Sequence, residues 1–236
     1  MKNRFEKVYQ EYSRRTEDRI NKKIYEANPE KNSAISKLID TTKANGHQVY
    51  LMTDWHLFKI NKETKEFFKR PGADNIIRNI KNTIKDGDLL IFLGDICDGE
   101  YEDKATLSMI LNALPGTKIM IRGNNDLFSD QWYVDNGFKY IVPKFVYEDI
   151  LFSHRPQDNN YKINIHGHMH NEAGNKTYLA SEISHYNNQV DAAYFGAREK
   201  PNPMDVVIKG YQHYHDKIAQ FQNKTWKNDE RIYIKL

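Results

Sequence analysis

The stretch Leu89-Leu90-Ile91-Phe92-Leu93-Gly94-Asp95-Ile96-Cys97-Asp98 decides how the chain is read. Five apolar residues without alternation suit a strand buried on both faces, the kind found in parallel sheets. The strand stops at Gly94-Asp95, where a glycine permits a sharp turn beside an acid. Working outward, Ala73 to Lys85 places Ile76, Ile77, Ile80 and Ile84 on one helical face, with Gly87 as a stop. Downstream, Asp103 to Leu114 points Leu107, Ile110, Leu111 and Leu114 inward and halts at Pro115-Gly116. Val49 to Thr53 forms an earlier strand ending in Asp54-Trp55-His56. Lys118 to Ile121 forms a later one ending in Arg122-Gly123-Asn124-Asn125-Asp126. Strand, helix, strand in this rhythm predicts an α/β unit with a parallel sheet.

The second half is richer in strands. A short helix near Ser129 to Asp135, closed by Gly137, precedes an extended stretch from Tyr140 to Tyr147. A turn at Glu148-Asp149 returns the chain as Ile150 to Ser153, a hairpin pattern ending in His154-Arg155-Pro156. After a polar loop comes Asn164-Ile165-His166-Gly167-His168-Met169-His170, with histidines at alternate positions that share one face of an extended strand. Taken alone, this segment suits a transition metal. It equally suits a polar surface strand or hydrogen-bonded core histidines. Lys176 to Ile183 predicts one more strand.

The flanks differ. Residues 1–46 read as a helical arm: Phe5, Val8, Tyr9 and Tyr12 lie at helical spacing, Ile20 and Ile24 continue it to Asn28-Pro29, and a second helix covers Ser33 to Lys43. Such an arm packs on its own domain or serves a homo-oligomer or other partner surface. Residues 47–236 form the main domain. Its 201–236 tail carries Met204, Val207, Ile208, Tyr211, Tyr214 and Ile218 as a helix after Pro203, then an edge strand from Arg231 to Leu236. The segment holding Lys59, Lys62, Lys65, Phe67, Phe68, Lys69 and Arg70 reads as a basic, aromatic loop.

Bulk properties bound the function. At 236 residues the chain suits one large domain with appendages. The net charge of +3 is mild, permitting an anionic ligand without demanding one. A single cysteine, Cys97, excludes an internal disulfide and fits a reducing compartment. The longest apolar run is too short to cross a bilayer, and the first residues lack a signal-peptide core. A cytoplasmic protein without membrane contact is expected.

Five predicted strands thus end in groups able to bind metal or phosphate: Asp54 with His56, Asp95, Asn124, His154, and His168 with His170. In α/β sheets such groups converge outside the carboxyl ends of the strands. Carboxylate, amide oxygen and imidazole without thiolate suit Mn²⁺, Fe, Zn²⁺ or Ni²⁺. Seven ligands are about right for two ions sharing a carboxylate.

The order Asp-x-His, Gly-Asp-x-x-Asp, Gly-Asn-x-Asp, His, Gly-His-x-His, from Asp54 to His170, resembles the calcineurin-like metallophosphoesterase superfamily. The resemblance implies a four-layer α/β/β/α sandwich. It implies a first divalent metal, Mn²⁺ foremost, on Asp54, His56, Asp95 and His170, and a second on Asp95, Asn124, His154 and His168, with Asp95 bridging. The activity implied is hydrolysis of a phosphate ester by in-line attack of a metal-bridging hydroxide. Asp98 would orient a ligand, or serve as a helix-start carboxylate. Relatives commonly carry histidine where this chain has Asn125, which cannot deliver a proton at neutral pH. Phosphodiesters with good leaving groups, of nucleotide or nucleic-acid type, are therefore the expected substrates, with His56 the nearest candidate acid. A phosphomonoesterase and a weakly catalytic metal-bound interaction protein are the alternatives. Arg122, Arg155 and Arg70 are candidate phosphate clamps or surface arginines. His166 is expected as a supporting or core histidine, and Cys97 as packing.

Overall fold

The computed structural model describes residues 28–61, 63, 64, 66–98, 103–157, 161–168 and 189–212. The expected helix before Pro29, the strand at 176–183, the edge strand at 231–236, and His170, His185, His213 and His215 lie outside them.

Helix α1, Pro29–Ala44, begins four residues before the expected Ser33. Pro29 ends the preceding pattern but equally suits a first helical turn, where its missing N–H is no loss. The Asn28 side chain accepts from Glu30 N (3.0 Å) and Lys31 N (3.1 Å), closing that turn. Its buried face holds Ile35 and Ile39, so this half of the arm belongs to the core. Asn32 also pairs with the backbone of Val146, donating to its carbonyl at 3.0 Å and accepting from its N–H at 2.7 Å.

Strands β1 (Val49–Met52), β4 (Leu89–Phe92), β5 (Thr117–Ile121) and β6 (Phe138–Val142) run parallel, and β11 (Asn202–Pro203) adds antiparallel to β1, giving the order β11-β1-β4-β5-β6. A second sheet, β10-β9-β8-β7, contains β7 (Lys144–Tyr147), β8 (Ile150–Ser153), β9 (Ile163–His166) and β10 (Gln189–Asp191). Strands β8, β9 and β10 are mutually parallel, while β7 and β8 form the expected hairpin. Glu148 and Asp149 both adopt positive φ (49° and 63°), which suits a two-residue turn matched to strand twist. The stretch expected as extended from Tyr140 to Tyr147 divides at Pro143 between the two sheets. Proline has no N–H to continue a ladder, so the chain changes sheet there.

The period of two along each strand sorts the core. Leu89, Ile91, Leu93, Ile119 and Ile121 form one cluster with Phe145, Phe152, Ile163 and Ile165 of the second sheet. Their neighbours Leu90, Phe92 and Met120 join Ile76 and Ile80 of α2 (Ala73–Thr83) and Leu107 and Leu111 of α3 (Lys104–Asn112). Phe145 and Phe152 stack at 4.7 Å across the hairpin. Truncating either to alanine should cost about 3–5 kcal/mol. Helix α4 (Asp130–Asp135) is capped by Ser129, and the helix at 204–212 buries Met204, Val207 and Tyr211. The mixed α/β sandwich expected from the sequence is the architecture observed.

One segment departs from its expected form. The basic, aromatic stretch after His56 is a hairpin of β2 (Phe58–Ile60) and β3 (Phe67–Lys69) rather than a loop. Asn61 makes its turn, accepting from Glu63 N (2.9 Å) and Thr64 N (3.2 Å). Among the described residues no helix is long and apolar enough to cross a membrane.

Candidate metal centre

Five carboxyl-terminal strand ends meet at one place. The loop after β1 follows the loop after β4, with Asp54 N bonded to Gly94 O (2.9 Å), His56 N to Asp95 O (3.0 Å) and Leu57 N to Ile96 O (2.8 Å). Six non-glycine residues have positive φ among the described residues, and four of them are here: Asp54 (52°), His56 (43°), Asp95 (63°) and His168 (71°). Each costs about 1–3 kcal/mol and persists only where its surroundings over-determine it. Close approach demands glycine at two flanking positions. A Cβ on Gly94 would lie 2.7 Å from Gly123 Cα and from His154 Nδ1, and one on Gly167 would lie 1.9 Å from Thr53 Oγ1.

Ligand atoms of Asp54, His56 and Asp95 all lie within 4.8 Å of one another, and so do those of Asp95, His154 and His168. Asp95 belongs to both groups. Its Oδ2 is 3.7 Å from His56 Nε2 and 3.4 Å from His154 Nε2, and Asn124 Oδ1 is 3.1 Å from His154 Nε2. Asp54, His56, Asp95 and His154 are all buried. Asp54 accepts from Thr53 Oγ1 (2.6 Å) and from His168 N (3.0 and 3.1 Å).

The donor set can be tested for cation binding through the ring partners. His154 Nδ1 faces Leu93 O at 2.7 Å, which requires a proton on Nδ1. A neutral His154 therefore turns its Nε2 lone pair toward the oxygens of Asp95 and Asn124. Likewise His56 Nδ1 meets Asp98 Oδ1 at 2.5 Å, leaving Nε2 toward Asp95. Lone pairs converging in a buried place need positive charge among them, from a proton or a cation. Burial and thiolate-free nitrogen and oxygen donors fit a divalent transition metal.

The electrostatics agree. Burial works to raise the Asp95 carboxyl, but the His154 ring, the Asn125 N–H and the His56 ring outweigh it and hold it well below the usual range. Burial also opposes charge on His154, yet its bond to Asp95 and that carboxylate's charge lift it to about 9. His168 and His166 are pushed down to about 4, foremost by burial. A cation entering here would displace the His154 proton, so binding should release protons.

Asn125 faces Asp95: its N–H donates to Oδ1 (2.9 Å) and its Nδ2 to Oδ2 (2.8 Å). Arg122 donates to Phe128 O (2.8 Å), to Asp126 O and to Asp130, and lies over the Tyr133 ring. Arg70 donates to Trp55 O (2.8 Å) and to Glu199 (2.6 Å). Of the three arginines singled out from sequence, Arg155 is the one whose charge bears on His168. His166 is buried, with Nδ1 on Gly167 O at 2.7 Å, and Cys97 is buried in the outer cluster.

Two residues escaped the sequence reading. Asp126, wholly buried, accepts from Asp95 N (2.7 Å), Gly123 N (2.8 Å) and Ile96 N (2.9 Å), tying the β4 and β5 loops together. Burial and the Asp95 charge push it up to about 6, against those three N–H groups. Its place in Gly-Asn-x-Asp was the available signal. Arg198, whose Nε donates to Asp54 O at 3.1 Å, carried none.

The family profile described as calcineurin-like phosphoesterase matches residues 47–228. A Methanocaldococcus jannaschii protein named as uncharacterized is 27% identical over 176 residues, spanning 69% of this chain and 90% of its own. The crystal structure of an Aquifex aeolicus protein of unknown function superposes with a TM-score of 0.50 at 22% identity, covering 69% of this chain and 98% of that one. A Pseudomonas putida nuclease matches with a TM-score of 0.40 at 18% identity, over 53% of this chain and 62% of its own.

Proposed function

The chain belongs to the calcineurin-like phosphoesterase family, and from that premise we propose that it is a dinuclear metal-dependent phosphodiesterase acting on a nucleotide or nucleic-acid-type substrate. The observation that carries this reading is the pair of ligand groups meeting on Asp95. Asp54, His56 and Asp95, with His170, would hold one divalent ion. Asp95, Asn124, His154 and His168 would hold the other, with Mn²⁺ foremost by the family resemblance and Fe, Zn²⁺ or Ni²⁺ also suited to these donors. When bound, such a pair supplies an acidified water and positive charge toward the phosphoryl oxygens.

The remaining work belongs to the chain. Asp98 fixes the His56 ring through Nδ1, and Leu93 O does the same for His154, so both present Nε2. Asn125 holds both oxygens of Asp95 and has no proton to give a departing alkoxide at neutral pH. Esters whose leaving group departs without protonation are the substrates such a site serves best, which supports activated diesters.

Purified protein with Mn²⁺ should hydrolyse bis-p-nitrophenyl phosphate much faster than p-nitrophenyl phosphate. Equal or reversed rates would favour a phosphomonoesterase. Two bound ions without turnover would favour a metal-bound interaction protein.

A further inference from the structure

The loop carrying Asp54 and His56 is gripped from outside by residues distant in sequence. Thr53 N donates to Ala197 O at 3.0 Å, Arg198 Nε donates to Asp54 O at 3.1 Å, and Arg70 Nη1 donates to Trp55 O at 2.8 Å. Three consecutive backbone groups are thus each held. The two arginines are tied together as well, because Arg70 Nη2 bonds Glu199 at 2.6 Å and Arg198 is its chain neighbour. Asn79 Nδ2 fixes the Glu199 carbonyl at 2.9 Å, anchoring the brace to α2.

The grip falls on strained backbone. Asp54 and His56, either side of Trp55, both have positive φ, a conformation that residues other than glycine keep at some cost and only where their surroundings over-determine it. Glu199 is more than half exposed, so the Arg70–Glu199 pair contributes little stability by itself. Its effect is geometric, since it fixes where the guanidinium forks stand. Of the other candidate ligands, the Asp95 loop is held by Asp126 and His154 by Leu93 O, while His168 N bonds the Asp54 carboxylate rather than the backbone that Arg198 grips.

We infer that Arg198, braced with Arg70 through Glu199, is a positioning residue for the ion held by Asp54 and His56. It sets that ion's affinity separately from the second ion's. This inference rests on the dinuclear reading above.

The test is Mn²⁺ titration of the metal-free full-length chain by calorimetry, with the melting temperature of each metal-free variant measured alongside. The parent should show two binding events. Arg198→Met should weaken one of them by about 10–100-fold, the range for groups supporting a metal ligand, and leave the other within about threefold. Arg198→Lys should recover only part of the loss, because a terminal ammonium does not reproduce the Nε–H that donates to Asp54 O. Glu199→Gln, a mild exposed change that keeps the fold, should weaken the same event by a smaller factor. Both events weakening equally alongside a lower melting temperature would overturn the inference in favour of plain structural support. Two parental events left unmoved by all three variants would overturn it alone. Fewer than two parental events would remove the dinuclear reading and this inference with it.

Discussion

Gly167→Ala is the sharpest perturbation of the candidate centre. The added Cβ would stand 1.9 Å from Thr53 Oγ1, 2.7 Å from Asp54 Oδ2 and 3.1 Å from Thr53 Cβ. Thr53 must move, and its 2.6 Å hydrogen bond to Asp54 goes with it. Overpacking of this kind costs about 1–3 kcal/mol, and losing a bond to a charged group costs about 1.5–3 kcal/mol. The reduced freedom of alanine in the unfolded chain returns about 0.4–1 kcal/mol. The net, about 2–5 kcal/mol, corresponds to a melting temperature lower by about 5–15 °C for a chain of this size. Thermal unfolding by circular dichroism reads it directly. A double-mutant cycle isolates the contact: Thr53→Ala removes the oxygen, so the double variant should be more stable than the two single losses added, by at least about 1 kcal/mol. A Gly167→Ala protein melting within about 2 °C of the parent, or an additive cycle, would refute the close approach on which the site's geometry depends.

Asp95→Asn should lower phosphodiesterase activity by more than about a hundredfold and weaken both Mn²⁺ binding events, since one carboxylate serves both groups; near-parental rates would remove Asp95 from its shared role. Asn125→His should raise turnover of esters with poor leaving groups relative to bis-p-nitrophenyl phosphate, and an unchanged ratio would show that proton supply is not what that position limits. In the metal-free protein His166, depressed to about 4 by burial from about 6.5 when unfolded, contributes stability that is present above pH 6.5 and lost as pH falls toward 4. That contribution is at most about 3 kcal/mol. His154, raised to about 9, runs the other way, its contribution present below pH 6.5 and lost as pH rises through 9. Denaturant unfolding from pH 4 to 9 should therefore show His166→Asn flattening the acid limb only.

Much of the fold was legible because its cues are local. The unbroken run Leu89 to Leu93 announced a strand buried on both faces, and the helical spacing of Ile76 and Ile80 and of Leu107 and Leu111 announced the helices covering it. The errors also have local causes. Pro29 suits the end of one helix and the first turn of the next alike, and here it begins α1. Pro143 sits inside a stretch whose pattern is extended throughout, and its missing N–H obliges the chain to leave the ladder there. The hairpin of β2 and β3 leaves no trace in the sequence pattern because its two arms are three residues each, too short to show alternation.

By itself the sequence determined which residue types stand at the strand ends, since Asp54, His56, Asp95, Asn124 and His154 each follow an apolar run and His168 follows an alternating one. Only the tertiary structure decided how they are used. That His56 rests on Asp98, that Asn125 turns both its donors to Asp95, and that Asp126 joins two loops are matters of hydrogen-bond direction, which spacing does not encode. The same holds for Arg122 and Arg70, whose guanidiniums bond within the protein. Arg198 lies 144 residues from Asp54, the carbonyl it holds. No periodicity spans that interval; the pairing of β11 with β1 and the bond from Thr53 N to Ala197 O close it.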